Sequence, residues 1–206
     1  MFRHLASKVR VRACLMALAL AMPGVAHADP QPPLQLNSRY GERIPVARRA
    51  GCPITIVELT DLRRAPETMG MIDGVRAVSG PADHAAWLHS VAENGLRVRG
   101  FTPTIALAGA EGAVPDEPAD SSAFNIHLKL RSVWLTTYGL NRTGSVVLEM
   151  SASRGTQNHT EFYRGEIIMA DHSGTRGEFS DLLDRTVAEA LNAMADDLAL
   201  MCAEAS

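Results

Sequence analysis

The chain has no basic run of any length, no stretch beyond residue 28 apolar enough to cross a bilayer, and only three cysteines among 206 residues. The first absence argues against nucleic acid and anionic lipid head groups as partners, because both are held by clustered Lys and Arg. The second leaves no integral membrane segment after residue 28, so that part of the chain is expected to be water-soluble. Phosphate loops, dinucleotide glycine patterns, Cys-x-x-Cys pairs, calcium loops and the His-Glu-x-x-His motif are also missing. The sequence therefore assigns no cofactor, no metal site and no catalytic residue.

What is present begins with an export signal. Arg3, Lys8, Arg10 and Arg12 form a positive start with no acidic residue, and residues 14–21 form a short apolar core. Pro23 and Gly24 break that core, and Ala26-His27-Ala28 supplies a small-x-small cleavage pattern. The apolar run is too short and too interrupted for a membrane anchor. Cys14 stands at the start of the core instead of following it, so no cysteine is placed to take a lipid. Residues 1–28 are expected to be a Sec-type signal peptide, leaving a periplasmic or secreted protein. Of 20 basic and 23 acidic residues the signal holds four and none, so 16 basic residues then oppose 23 acidic ones.

Two cysteines, Cys52 and Cys202, remain after processing. In an oxidising compartment they most simply form one bridge, from the start of the first strand to the end of the last helix. Metal binding is the poorer reading, since no His or Cys stands at ligand spacing from either.

Residues 29–51 carry Pro30, Pro32 and Pro33 with no hydrophobic period, which reads as a flexible leader to a single domain at 52–206. Residues 53–60 suit a buried strand. A loop through Gly70 and Gly74 should follow, then a short strand at 75–78. A helix is expected over 81–94, with Pro81 in its first turn and Gly95 as its left-handed terminator. Residues 95–101 should lead into a strand with Leu96 and Val98 on one face. The small, acidic segment 108–122 reads as a protruding loop.

The second half is more regular. Phe124, Ile126, Leu128 and Leu130 alternate with Asn125, His127, Lys129 and Arg131, which gives a strand with one wet face. Val146, Leu148 and Met150 repeat the pattern, and a third strand at about 161–169 completes an antiparallel meander. Residues 141–144 are expected in its first turn and Arg154-Gly155 in its second. Phe179, Leu183, Val187, Leu191, Met194, Leu198 and Met201 recur at helical spacing in a closing helix that starts between Gly177 and Asp181. The expected class is α+β: an antiparallel sheet with a three-strand meander, packed by two helices, the long C-terminal one covering one face.

Few residues suggest chemistry. His84 and His89 are five apart, about 140° around a helix, and make no metal face; both are expected toward solvent or at a cap. His127 sits on the wet side of its strand. Asp171-His172-Ser173 holds the residue types of a hydrolase triad, but triad members converge from separate elements and no Gly-x-Ser-x-Gly elbow accompanies them. Asp61 with Arg63 and Arg64, at the end of the first strand, forms either a bidentate lock on the next loop or a strand-end binding site.

The run Val57-Glu58-Leu59-Thr60-Asp61-Leu62-Arg63 with Gly70 after it, Asn94-Gly95, the meander, Tyr163-Arg164-Gly165 and the terminal helix resemble the YajG-type family of bacterial envelope lipoproteins. They are similar also to the auxiliary lipoproteins of ABC-type transport systems. The resemblance spans about residues 53–200 and implies a small envelope domain that interacts with partners without catalysis. This chain departs from it in lacking a lipidated cysteine. The expected function is thus a periplasmic binding or assembly accessory in envelope maintenance or lipid transport, with an envelope protein or an apolar small ligand as partner. The alternative is a small secreted hydrolase using His127 or His172. N-terminal sequencing of the protein from osmotic-shock fluid should read Asp29-Pro30-Gln31; recovery in the membrane fraction alone would overturn the processing site.

Overall fold

The computed structural model describes residues 31–36, 40, 48–49, 51–106, 123–170 and 173–204. Their elements run β1 (Leu34–Gln35), β2 (Pro53–Asp61), β3 (Thr68–Ile72), β4 (Arg76–Ser79), α1 (His84–Val98), β5 (Thr102–Ile105), β6 (Phe124–Tyr138), β7 (Asn141–Arg154), β8 (Gln157–Met169) and α2 (Arg176–Glu204). The fold is α+β. The signal at 1–28, the whole loop at 108–122, and Asp171-His172 lie outside the described residues.

The meander is β6, β7 and β8, antiparallel throughout. Its connections are Gly139-Leu140 and Gly155-Thr156, two residues each, as tight pairing requires. Residues 141–144 therefore open β7 and are not the turn. The free side of β6 takes two partners end to end: β2 runs parallel to its first half and β3 parallel to its second. β5 adds in parallel outside β2, while β4 and then β1 lie outside β3. The sheet is thus mixed, and only part of it is antiparallel. β3 and β4 form a local antiparallel hairpin, whereas β2, β3 and β5 reach their parallel neighbours through the loop after β2 and through α1.

Side chains alternating along β6 and β7 separate the two faces. Ile126, Leu128, Leu130, Leu135, Val146, Leu148 and Met150 are buried and meet the helices. α2 lies on β7 and β8, α1 on β2 and β5, and the helices touch each other. Phe179, Leu182, Leu183, Val187, Leu191, Met194 and Leu198 form the buried stripe of α2, each stabilising the fold by roughly 1.5–3 kcal/mol. The approach is close at Gly144 and Gly165, where an added Cβ would overlap Thr186 Oγ1 and the Thr186 carbonyl oxygen respectively. Any larger residue there forces the helix off the sheet.

Several boundaries move. Thr175 and Glu178 cap α2 reciprocally: the Thr175 N–H donates to Glu178 Oε2 at 3.3 Å and the Glu178 N–H to Thr175 Oγ1 at 3.4 Å. Desolvation alone would raise the Glu178 carboxyl, but hydrogen bonds from Ser173 and Thr175 and the nearby Arg142 charge hold it at about 2. Arg142 Nη1 is 3.2 Å from Glu178 Oε2, a charge contact without hydrogen-bond alignment. α1 starts after Asp83, whose side chain accepts from the Ala86 N–H at 2.8 Å. It runs through Gly95, which is buried against Leu191 and Tyr40. Gly95 is thus a spacer between helices and not a terminator, and Leu96 and Val98 are helical instead of extended.

The leader also departs from expectation. Leu34 and Leu36 are buried, and β1 pairs with β4, because their two-residue spacing places both on the covered face. Tyr40 is buried, and its hydroxyl accepts from Arg99 Nη1 at 3.2 Å. Arg49 is paired with Asp196 of α2.

Cys52 and Cys202 are bridged, their Cα atoms 5.8 Å apart across a separation of 150 residues. Chain-entropy arguments give about 4.7 kcal/mol for a 100-residue loop, and slightly more for this one. Reduction, or Cys52→Ser, should therefore lower the thermal midpoint while leaving far-UV dichroism native, because the α2 stripe still supplies a core. Two titratable thiols in the oxidised protein would refute the bridge.

Candidate functional site

β2 ends beside the first turn of α1, and the two leave a cleft of about 610 Å³. Leu59, Pro66, Ala85, Ala86 and Leu88 give it apolar walls, with Asp61, His84 and His89 as its ionisable groups. The position follows from the fold. β2 delivers Asp61, the loop toward β3 supplies Pro66, and the Asp83 cap fixes where the helix begins.

Asp61 and Arg63 form the expected bidentate pair. Arg63 Nε donates to Oδ1 at 2.9 Å and to Oδ2 at 3.1 Å, Nη2 donates to Oδ2 at 2.6 Å, and the Arg63 N–H donates to Oδ1 at 3.1 Å. The Arg63 side chain is only 5 % exposed, so this is a loop lock held away from solvent. Arg64 is exposed and takes no part in it. Burial alone would raise the Asp61 carboxyl, but hydrogen bonds from Arg63, its charge and that of His84 hold it below the usual carboxylate range. Asp61 is therefore a charged anchor with its lone pairs engaged, unsuited to taking a proton near neutrality.

Two buried polar atoms here have no hydrogen-bond partner among the described residues, Arg63 Nη1 and His84 Nε2. Buried polar groups of this kind are satisfied by ordered water, by a ligand or by a movement. The His84 ring tip packs against Gly80, where a Cβ would lie 2.9 Å from Nε2. It is thus less open to solvent than the sequence suggests. His89 faces Glu93 at 3.6 Å.

The other candidates do not converge on this cleft. His127 Nδ1 is 2.9 Å from Glu58 Oε2, and Thr60 Oγ1 donates to Glu58 Oε1 at 2.9 Å, all on the open face of the sheet. There the carboxylate stands between hydroxyl and imidazole, whereas a triad needs the imidazole between the other two. Ser173 donates from Oγ to Glu178 at 2.8 Å and belongs to the start of α2. His172 lies outside the described residues. The cleft walls were missed from sequence because Leu59, Pro66 and Ala85 carry no chemical signature.

No family model and no curated protein matches the chain. Among solved structures it is similar to an uncharacterized protein, at 11 % identity and TM-score 0.38, covering 85 % of this chain and 100 % of that one. It is similar also to a proposed neuraminyllactose-binding hemagglutinin homolog from Helicobacter pylori, at 9 % identity and TM-score 0.38, covering 82 % and 95 %. A PelC variant dodecamer from Paraburkholderia phytofirmans follows at 16 % identity and TM-score 0.33, covering 71 % and 88 %. At such scores these likenesses carry no argument about function.

The Asp61 pair has a defined pH signature. A carboxyl lowered in the folded state adds stability above its unfolded pKa and loses it as pH falls through the folded one. Asp61→Asn should thus destabilise the protein by about 1–3 kcal/mol at pH 7. The gap from wild type should close in acid, below the ordinary carboxylate range. Denaturant melts of both proteins at several pH values measure this, and a gap unchanged in acid would show that Asp61 acts by packing alone.

Proposed function

We propose that the protein is a non-catalytic binding or assembly accessory of the periplasm, serving envelope maintenance or lipid transport. The observation that carries this reading is the composition of the cleft at the end of β2. Its described lining holds apolar walls, a carboxylate already engaged by Arg63, and no Ser, Thr or Cys. Such a cleft, with His84 and His89 at its rim, suits the binding of a small molecule. Its volume falls in the range of small-molecule pockets, which are mostly apolar with a few placed polar groups. An apolar ligand with one polar end fits these walls, its polar end toward His84 and Asp61.

Three further observations support the reading. Among the described residues no helix is long and apolar enough to cross a membrane. The Cys52–Cys202 bridge suits an oxidising compartment. The resemblance to YajG-type envelope lipoproteins points to the same kind of role.

Titration with N-phenyl-1-naphthylamine, a dye that brightens in apolar sites, tests the cleft directly. Wild type should show saturable binding. Ala85→Trp, which places an indole from an exposed wall position into the cleft, should weaken it about tenfold or more. Equal binding by both proteins, or none by either, would sink the cleft as a ligand site.

A further inference from the structure

The four most exposed large apolar side chains among the described residues lie together. Tyr138 is 83 %, Val75 81 %, Leu140 73 % and Ile168 68 % exposed, and none of them lines the cleft. Strand pairing puts them at one end of the sheet. β3 runs parallel to β6 with Met71 beside Thr136, so the turns at Asp73-Gly74-Val75 and Gly139-Leu140 emerge side by side. β8 finishes at the same end, where Ile168 pairs with Thr143 and shares the open face with Tyr138. Turns are normally built from polar residues, and the opposite end of the meander obeys this. There Arg154-Gly155-Thr156-Gln157 joins β7 to β8 without one apolar side chain.

Three features decide what this end can meet. It is convex: a Cβ built on Gly74 would meet no described atom within 4 Å. The row from Val75 to Ile168 also crosses about three strand spacings, roughly 14 Å. A folded partner would need a separate pocket for each tip, whereas a fluid bilayer yields to all of them. The main chain of the tips is satisfied internally, as a medium without water demands. The Val75 N–H donates to the Ile72 carbonyl at 3.0 Å, the Asp73 N–H to Thr137 Oγ1 at 2.7 Å, and Thr137 Oγ1 to Asp73 Oδ1 at 2.7 Å. Charge is layered too. Residues 136–141 include no Asp, Glu, Lys or Arg. Arg76 stands at the base of the first turn, its Nε held by the Pro32 carbonyl at 3.0 Å. Exposed Arg176 opens α2 on the side where Glu178 meets Arg142. Apolar tips with cations behind them match a bilayer, whose phosphates lie outside its hydrocarbon.

We propose that this end of the sheet docks on the surface of a phospholipid bilayer. Val75, Tyr138 and Leu140 enter the boundary between head groups and acyl chains, and Ile168 lies at the margin of the contact. The tyrosine suits that boundary, with an apolar ring and a polar tip. Asp73 is exposed beside the tips and limits their depth, so the contact is shallow and reversible and osmotic shock still releases the chain. Apolar burial drives the docking, and two arginines make no anionic cluster-binding site, so uncharged vesicles suffice and salt has little effect.

Flotation of the processed chain, residues 29–206, with dioleoylphosphatidylcholine vesicles tests this docking. Wild type should rise with the vesicles at low salt and at about 1 M salt alike. Val75→Ser combined with Leu140→Ser should lower the partition coefficient about tenfold or more. Leu200→Ser removes an exposed apolar side chain near the far end of α2 and should change nothing. Leu140→Trp should bind, and its indole emission should move to the blue when vesicles are added. Far-UV dichroism of every variant should match wild type, since the changed positions are exposed. A wild type that stays behind in solution, or that salt releases, overturns the proposal. So does a folded double variant that floats as wild type does, or an equal loss in Leu200→Ser. Self-association of wild type without lipid, abolished by the double change, would make the tips a contact between copies and overturns it as well. Should the double variant not fold, the Leu140→Trp emission decides, and an unchanged spectrum with vesicles overturns the docking.

Discussion

Arg99 is fully buried and has no carboxylate among its hydrogen-bond partners in the described residues, and the packing of both helices turns on how it is satisfied. Its Nε donates to Asn192 Oδ1 at 2.9 Å, Nη1 to the Tyr40 hydroxyl and to the Gly95 carbonyl, and Nη2 to the Ala188 carbonyl at 2.8 Å. An unpaired buried guanidinium is penalised by several kcal/mol. That penalty is avoided only when the end of α1, the middle of α2 and Tyr40 are all in place. Arg99 also accepts the Arg49 N–H at its own carbonyl, 2.9 Å away. One side chain thus sets where α1 stops, how it leans on α2, and why the N-terminal segment docks. Because α1 is held at this end, its other end has a fixed place against β2, and the cleft exists in that gap.

The second constraint is steric. Gly144 and Gly165 let the backbone of α2 approach two neighbouring strands, and Thr186 fills the resulting seam, its hydroxyl bonded to the Leu182 carbonyl at 2.7 Å. This brings the whole apolar stripe down onto β7 and β8. With both helices on one face, the other is covered by no element among the described residues. It carries pairs such as His127 with Glu58 and Arg131 with Glu149, together with exposed Trp134 and Phe162.

The parts legible in the sequence are those governed by local period. The meander strands and the α2 stripe repeat at two and at about 3.6 residues, and the structure places them as their patterns require. Asp61 and Arg63 were legible too, because a strand end followed by a guanidinium two residues on is a local arrangement. β3 was not: Thr68–Ile72 is short and glycine-containing, and its strand character comes from pairing with β4 and β6. Gly95 was misread because a helix-ending glycine and a helix-packing glycine look alike until Leu191 is known to lie opposite. The start of α2 carried a readable signal in Thr175-x-x-Glu178, obscured by the glycine between them. The cleft was illegible, since it is a distance between elements and not a property of any one of them.

The bridge between Cys52 and Cys202 has a consequence for the order of events as the chain is made. Every element except β1 lies between the two sulfurs. Synthesis proceeds from the N-terminus, so Cys52 is delivered early and waits as a free thiol. Its partner arrives only with the last turns of α2, after all eight strands. The thiol of Cys52 thus records incompleteness: a chain stalled anywhere short of its final helix remains open to mixed disulfides with other proteins. Closure of the ring marks delivery of the last structural element, and ties the covalent state of the molecule to the progress of its own synthesis.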